Sequence, residues 1–190
     1  METAGATFGR GMAAIVTTTF GFIWIGLGLS VLPSVPAAIW VTYSLATVVL
    51  LTLAVTAVRQ GRKLMAAQAT SRGDAWQARR NGFRLVTTIE VIGCIAVVVL
   101  ADVARRPTWI PVGVSLVVGL HFLPLGKVLG ITQYYWVGAL IVLCDILVIT
   151  ASRSVNLVAA VGTSTGVILW GSAIYALIRS LRVVPSQRSS

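Results

Sequence analysis

Residues 59–84 are the most polar stretch of the sequence, RQGRKLMAAQATSRGDAWQARRNGFR, and long apolar runs lie on both sides of them. The stretch holds seven of the 15 Lys and Arg residues, whereas the whole chain is 57% hydrophobic and has a net charge of +10. Lys and Arg accumulate in the loops of membrane proteins that stay in the cytosol. The pattern is therefore typical of a multi-pass membrane protein with a basic cytosolic hairpin.

Apolar runs of membrane-spanning length recur along the whole chain. A spanning helix needs about 20 predominantly apolar residues to cross the hydrocarbon layer. The sequence predicts six of them, at about 12–32, 36–58, 85–104, 108–128, 131–151 and 155–178. The predicted fold is all-α: a bundle of six transmembrane helices that forms a single domain over residues 1–190.

The orientation of such a bundle follows from its basic residues. With six spans, one side would hold both termini and residues 59–84, and with them twelve of the 15 basic residues. The opposite side would hold only Arg105, Arg106 and Arg153. The bias predicts that both termini face the cytosol. It also accounts for the positive charge, so nucleic acid is not a predicted partner.

The predicted partner of the basic residues is the lipid bilayer. Cytosolic Lys and Arg next to a span attract anionic headgroups, by about 1 kcal/mol for each residue near the surface. Association between copies of the chain remains open. The residues expected to contact anionic lipid are Arg59, Arg62, Lys63, Arg79, Arg80 and Arg84.

Three ionisable side chains fall inside the predicted spans: Glu90, His121 and Asp145. A charged group at the centre of a spanning helix costs roughly 2.5–3.5 kcal/mol on insertion scales, so each needs a reason to be there. Glu90 and His121 are expected at similar depths in the cytosolic half of antiparallel neighbours. A pair that shares a proton would serve as a proton or ion relay, or as a polar ligand site; alternatively it would only fix helix register.

Asp145 is expected in the outer half of the fifth span. One interpretation has Arg153, or the Arg105–Arg106 pair, reaching it from the outer rim. The functional alternative is an outer gate or a cation-binding carboxylate.

Two further segments contain proline or glycine at positions that affect helix geometry or packing. Pro124 removes a hydrogen bond to the carbonyl of Leu120, in the turn that holds His121, and predicts a helix kink. Gly162 and Gly166 form a GxxxG match, which suits close helix packing within the bundle or between copies.

No catalytic signature accompanies these residues, and the sequence predicts no cofactor and no metal centre. Cys94 and Cys144 lie in apolar runs without a CxxC spacing. His121 is the only histidine, which disfavours it as a haem ligand because no second His completes a bis-histidine site.

The segments WQARRNGFR (76–84), VGLHFLPL (118–125) and YYWVGAL (134–140) resemble an uncharacterised family of small bacterial multi-pass membrane proteins. The resemblance covers roughly the second to fifth spans. It implies a location in the bacterial cytoplasmic (inner) membrane and carries no activity.

Two functions remain open from the sequence. The first is a small-solute, ion or proton transporter or channel that uses Glu90, His121 and Asp145. The second is a membrane interaction or assembly protein, in which these residues only specify helix packing. A membrane-embedded enzyme ranks third.

Overall fold

The computed structural model describes the backbone of residues 4–66, 73–151 and 156–181, and side chains within 7–63, 81–151 and 156–180. In these ranges the regular elements are all helical. Each of the six long helices contains a segment long and apolar enough to cross a membrane, which confirms the predicted all-α class and the number of spans. The helices are α1 (Ala4–Ser30), α2 (Ala37–Ala66), α3 (Gly73–Val103), α4 (Ile110–Leu129), α5 (Gln133–Thr150) and α6 (Leu157–Leu181), with a 3₁₀ turn at Pro107–Trp109.

The basic stretch is more helical than its hydropathy suggests. The spans predicted at about 36–58 and 85–104 belong to longer helices, because α2 continues to Ala66 and α3 begins at Gly73. Charge ends the apolar pattern but does not end a helix, because Arg, Lys, Gln, Met and Ala all have high helix propensity. Residues 67–72, which separate the two helices, lie outside the described residues.

Two helices end with a residue in the left-handed conformation. Gly130 (φ 68°) follows α4, and the amide of Ile131 donates to the carbonyl of Gly126. Arg105 (φ 54°) occupies the equivalent position after α3, where the amide of Arg106 donates to the carbonyl of Ala101. Both ends follow the Schellman pattern, which satisfies carbonyls left free by the last turn.

The helices group into two compact units, and α1 and α6 each contribute to both. The first unit comprises residues 4–23, 33–66 and 169–181, and the second comprises 24–32, 73–151 and 156–168. Hydropathy does not predict this division, because it locates the spans but does not show which spans pack against each other.

Small residues form the core of the first unit. A methyl group added at Gly61 would lie 2.6 Å from the backbone nitrogen of Phe8, so α1 and α2 approach backbone to backbone there. Without a hydrophobic force between helices in lipid, such close van der Waals packing is a main source of association. The buried residues of this core are Ala14, Ala54, Ala57, Ala173, Ala176 and Leu177.

An aromatic cluster also belongs to the first unit. Tyr43 stacks between Phe22, at a ring-centre distance of 4.6 Å, and Trp170, at 5.7 Å. Its hydroxyl donates to the carbonyl of Phe22, and the Trp170 indole N–H donates to the carbonyl of Thr18 at 3.3 Å. The polar tips of both rings therefore end on α1.

In the second unit, glycines set the register of the helices that carry the ionisable residues. A methyl group added at Gly93 would meet Val117 at 3.1 Å, and one added at Gly113 would meet Val97 at 2.5 Å, so α3 and α4 run antiparallel. One added at Gly138 would lie 2.5 Å from the carbonyl oxygen of Gly119, which makes α4 and α5 close neighbours. This register determines which polar side chains meet.

Candidate functional site

Glu90 on α3 and His121 on α4 are brought together by the glycine–valine register. Oε2 of Glu90 lies 3.4 Å from Nδ1 of His121. The two side chains are 22% and 10% exposed, respectively, so the carboxyl group is shielded but not sealed. We refer to these two residues as the Glu–His pair.

The Glu–His pair lies at ion-pair distance without an aligned hydrogen bond. Nδ1 of His121 is buried and has no hydrogen-bonding partner, despite the nearby carboxyl oxygen. The next residue on α4, Phe122, is buried and packs against the Tyr134 ring at 5.4 Å, which anchors this turn of the helix. A small rotation of either side chain would align donor and acceptor, because the separation already falls near hydrogen-bonding range.

The Glu–His pair lies well inside its spans. Glu90 is nine residues from the start of the span Asn81–Val103, and His121 is eight residues from the end of Pro107–Leu129. At 1.5 Å per residue these positions correspond to about 14 Å and about 12 Å along the helix axes. Both groups therefore lie at a depth where an unpaired charge is costly.

A second polar cluster forms around Asp145. Ser115 on α4, Asp145 on α5 and Thr165 on α6 are all fully buried. The Ser115 hydroxyl donates to Oδ1 of Asp145 at 3.1 Å, and it lies 2.7 Å from the Thr165 hydroxyl. We refer to these three residues as the Asp–Ser–Thr cluster.

Asp145 meets hydroxyl groups and not the rim arginines that the sequence suggested. Arg105 and Arg106 are both exposed, and neither contacts Asp145. Asp145 is five residues, or about 8 Å, from the end of its span, which places it within the packed helices. Arg153, the other suggested partner, lies outside the described residues.

Sequence reasoning missed Ser115 and Thr165. Ser and Thr are common in spanning helices because their hydroxyls can bond to a carbonyl of the same helix, so neither residue stands out alone. Thr165 does lie between Gly162 and Gly166, in a segment that the sequence marked for packing only. A buried carboxyl group that needs partners was the available signal, but it does not say which hydroxyls supply them.

The predicted packing glycines lie inside the second unit. A methyl group added at Gly162 would lie 2.6 Å from the backbone nitrogen of Gly28, so this glycine serves contact between α6 and α1. Gly166 is buried. Pro124 is exposed, as is Leu120, and α4 continues past the proline to Leu129.

The described basic side chains at the ends of α2 and α3 are exposed. Arg59, Arg62 and Lys63 follow the last apolar turn of α2, and Arg84 lies early in α3. The Arg62 guanidinium lies 5.9 Å from the centre of the Phe8 ring. The side chains of Arg79 and Arg80 lie outside the described residues, and contact of the set with anionic lipid stays a prediction.

Within the described residues, no group of three or more His, Cys, Asp or Glu side chains gathers as a metal site. Cys94 and Cys144 are free thiols. Comparison of the chain with protein-family models, with curated proteins and with solved structures finds no match in any of the three.

Proposed function

We propose that this protein transports protons across a membrane, with the Glu–His pair as a proton-exchange site in the cytosolic half. The observation that carries the proposal is the 3.4 Å separation of Oε2 of Glu90 and Nδ1 of His121, within helices long and apolar enough to cross a membrane. The Asp–Ser–Thr cluster provides a second ionisable site in the same unit.

The chemistry of the two groups supports proton exchange. An imidazole has two ring nitrogens, so it can accept a proton at one and release a proton at the other. A carboxyl group 3.4 Å away can donate that proton or receive it, and the exchange leaves the total charge of the pair unchanged. Movement of a proton within the pair therefore avoids the cost of isolating a charge in hydrocarbon.

The geometry supports exchange over a purely structural pair. A pair that only fixes register gains most from an aligned hydrogen bond in a closed setting. Here Nδ1 has no aligned partner and the Glu90 side chain is 22% exposed, so the packed helices do not close off the carboxyl group.

The charge distribution supports an orientation and a location. We place both termini in the cytosol, because twelve of the 15 basic residues then lie on the cytosolic side. We place the protein in a bacterial cytoplasmic membrane, in line with the resemblance of the segments 76–84, 118–125 and 134–140.

Reconstituted liposomes provide the test. Vesicles that contain an internal pH-sensitive dye are given a potassium diffusion potential with valinomycin, and the rate of internal acidification is recorded. We expect Glu90→Gln and His121→Ala each to reduce the protein-dependent rate at least tenfold, because each removes one of the two proton-carrying groups.

Asp102→Asn is the matched control. Asp102 is an exposed carboxyl group near the end of the same helix, α3, and it should leave the rate unchanged. Equal rates for empty vesicles, wild type and Glu90→Gln would contradict transport. The pair would then specify helix packing, as in the alternative of an assembly protein.

A further inference from the structure

We infer that the Asp–Ser–Thr cluster binds a small monovalent cation, Na⁺. The inference rests on the proposed function for its place in transport. The binding itself involves three side chains on three helices, Ser115 on α4, Asp145 on α5 and Thr165 on α6. The Ser115 hydroxyl lies 2.7 Å from the Thr165 hydroxyl and 3.1 Å from Oδ1 of Asp145, and all three residues are fully buried.

The cluster has fewer hydroxyl hydrogens than oxygen lone pairs that could accept them. Ser115 has one hydroxyl hydrogen and donates it to Oδ1 of Asp145, so the hydrogen between the two hydroxyls comes from Thr165. Both available hydrogens are then used. Oδ2 of Asp145 is buried and has no partner, and Thr165 keeps free lone pairs.

A cation satisfies this set better than a proton alone. A proton on Oδ2 of Asp145 would create a buried O–H donor, and the described residues offer that oxygen no hydrogen-bonding partner. A cation instead uses oxygen atoms as ligands and accepts several of them at once. The unpartnered carboxyl oxygen and the hydroxyl oxygens are ligands of the kind that hard cations prefer.

Charge and spacing select the ion. The cluster contains one carboxylate, so a single positive charge makes it neutral, whereas a divalent ion would leave an unbalanced charge in hydrocarbon. Nitrogen and sulfur ligands are absent from the cluster, which disfavours transition metals. The three side chains are fully buried and closely packed, which favours Na⁺ over the larger K⁺.

The depth of the cluster suits a transported ion. Ser115 is eight residues from the start of its span, Thr165 is eight from the start of its own, and Asp145 is five from the end of its own. These distances are about 12, 12 and 8 Å along the helix axes. When Na⁺ binds to the protonated carboxyl group, one proton leaves as one Na⁺ enters, so the net charge of the site stays constant.

Binding is tested with the purified full-length chain in detergent by isothermal titration calorimetry. NaCl is compared with KCl and choline chloride at equal ionic strength. We expect saturable binding heat with NaCl, at least tenfold weaker binding of K⁺, and proton release detectable with a pH indicator in weak buffer. Asp145→Asn should weaken Na⁺ binding at least tenfold.

Thr165→Val keeps the side-chain shape and removes one ligand oxygen, so it should weaken Na⁺ binding severalfold even if Asp145→Asn fails to fold. Thr18→Val is the matched control, because Thr18 is equally buried but belongs to the first unit. Wild-type binding in Thr165→Val, or equal heats with NaCl and choline chloride, would overturn the inference. Glu90→Gln should bind Na⁺ like wild type, because Glu90 is not part of the cluster. The Na⁺-binding result therefore does not depend on the outcome of the proton-flux test.

Discussion

Both units consist of closely packed apolar helices, but they differ in the polar side chains that these helices carry. In the first unit, the hydroxyls of Thr17, Thr47 and Ser180 donate to carbonyls of their own helices. In the second, Thr163 and Ser164 do the same, whereas Ser115 and Thr165 bond to side chains on other helices. The described side chains of the first unit include no Asp or Glu, whereas those of the second include Glu90, Asp102 and Asp145.

Hydroxyl and carboxyl groups differ in how their hydrogen bonds can be satisfied inside a helix bundle. A hydroxyl that returns to its own backbone is satisfied before any neighbour arrives. A carboxyl group cannot do this, because it needs donors or a counter-charge from elsewhere. Among the described residues, the second unit therefore carries the carboxyl groups from which we derive transport and cation binding.

The largest expected effect tests whether both units depend on close backbone contact at a glycine. Gly138→Ala in the second unit and Gly61→Ala in the first both push a methyl group against backbone atoms, at 2.5 and 2.6 Å. Overpacking of this kind usually costs 1–3 kcal/mol, and we expect about 3 kcal/mol for each because backbone cannot move aside. Unfolding in mixed micelles titrated with SDS measures the loss.

Gly171→Ala is the control for that pair, since nothing lies within 4 Å of the added methyl group. It should match or exceed wild-type stability, because alanine favours a helix. A loss at Gly138 with none at Gly61 would mean that close backbone contact matters only in the second unit.

A smaller effect, of opposite sign in the two units, tests the role of buried hydroxyls. Thr165→Val removes the donor to Ser115 and should destabilise the protein by about 1 kcal/mol. Thr18→Val removes a buried hydroxyl that has no partner and should be neutral or stabilising by up to about 1 kcal/mol. The same SDS titration compares the two, and equal losses would remove the contrast between the units.

The smallest effect concerns the aromatic cluster of the first unit. Tyr43→Phe keeps the ring stacked on Phe22 and Trp170 but removes the hydrogen bond to the Phe22 carbonyl. We expect a loss of about 0.5–1 kcal/mol, with unchanged proton flux and Na⁺ binding. Reduced flux in this variant would contradict the assignment of proton exchange to the second unit alone.

The sequence predicts the spans well because hydropathy is a local property that twenty neighbouring residues report together. It also predicts that Glu90 and His121 share a depth, since their distances from the span ends can be counted. It does not predict Ser115 and Thr165, because the partners of Asp145 depend on which faces of α4 and α6 meet α5. Those faces are set by glycine contacts, such as Gly138 against Gly119, whose partners are distant in sequence.

The register of α4 has a consequence for assembly. Moved by one turn toward either end, α4 would present Pro111 or Gly119 to Asp145, and neither has a side-chain donor. The same slip would leave Glu90 facing an aliphatic side chain instead of His121. Each unpaired carboxyl group would carry a penalty of roughly 2.5–3.5 kcal/mol if charged at mid-membrane. The two clusters together therefore favour one register of α4, because an error in that register is penalised at both carboxyl groups.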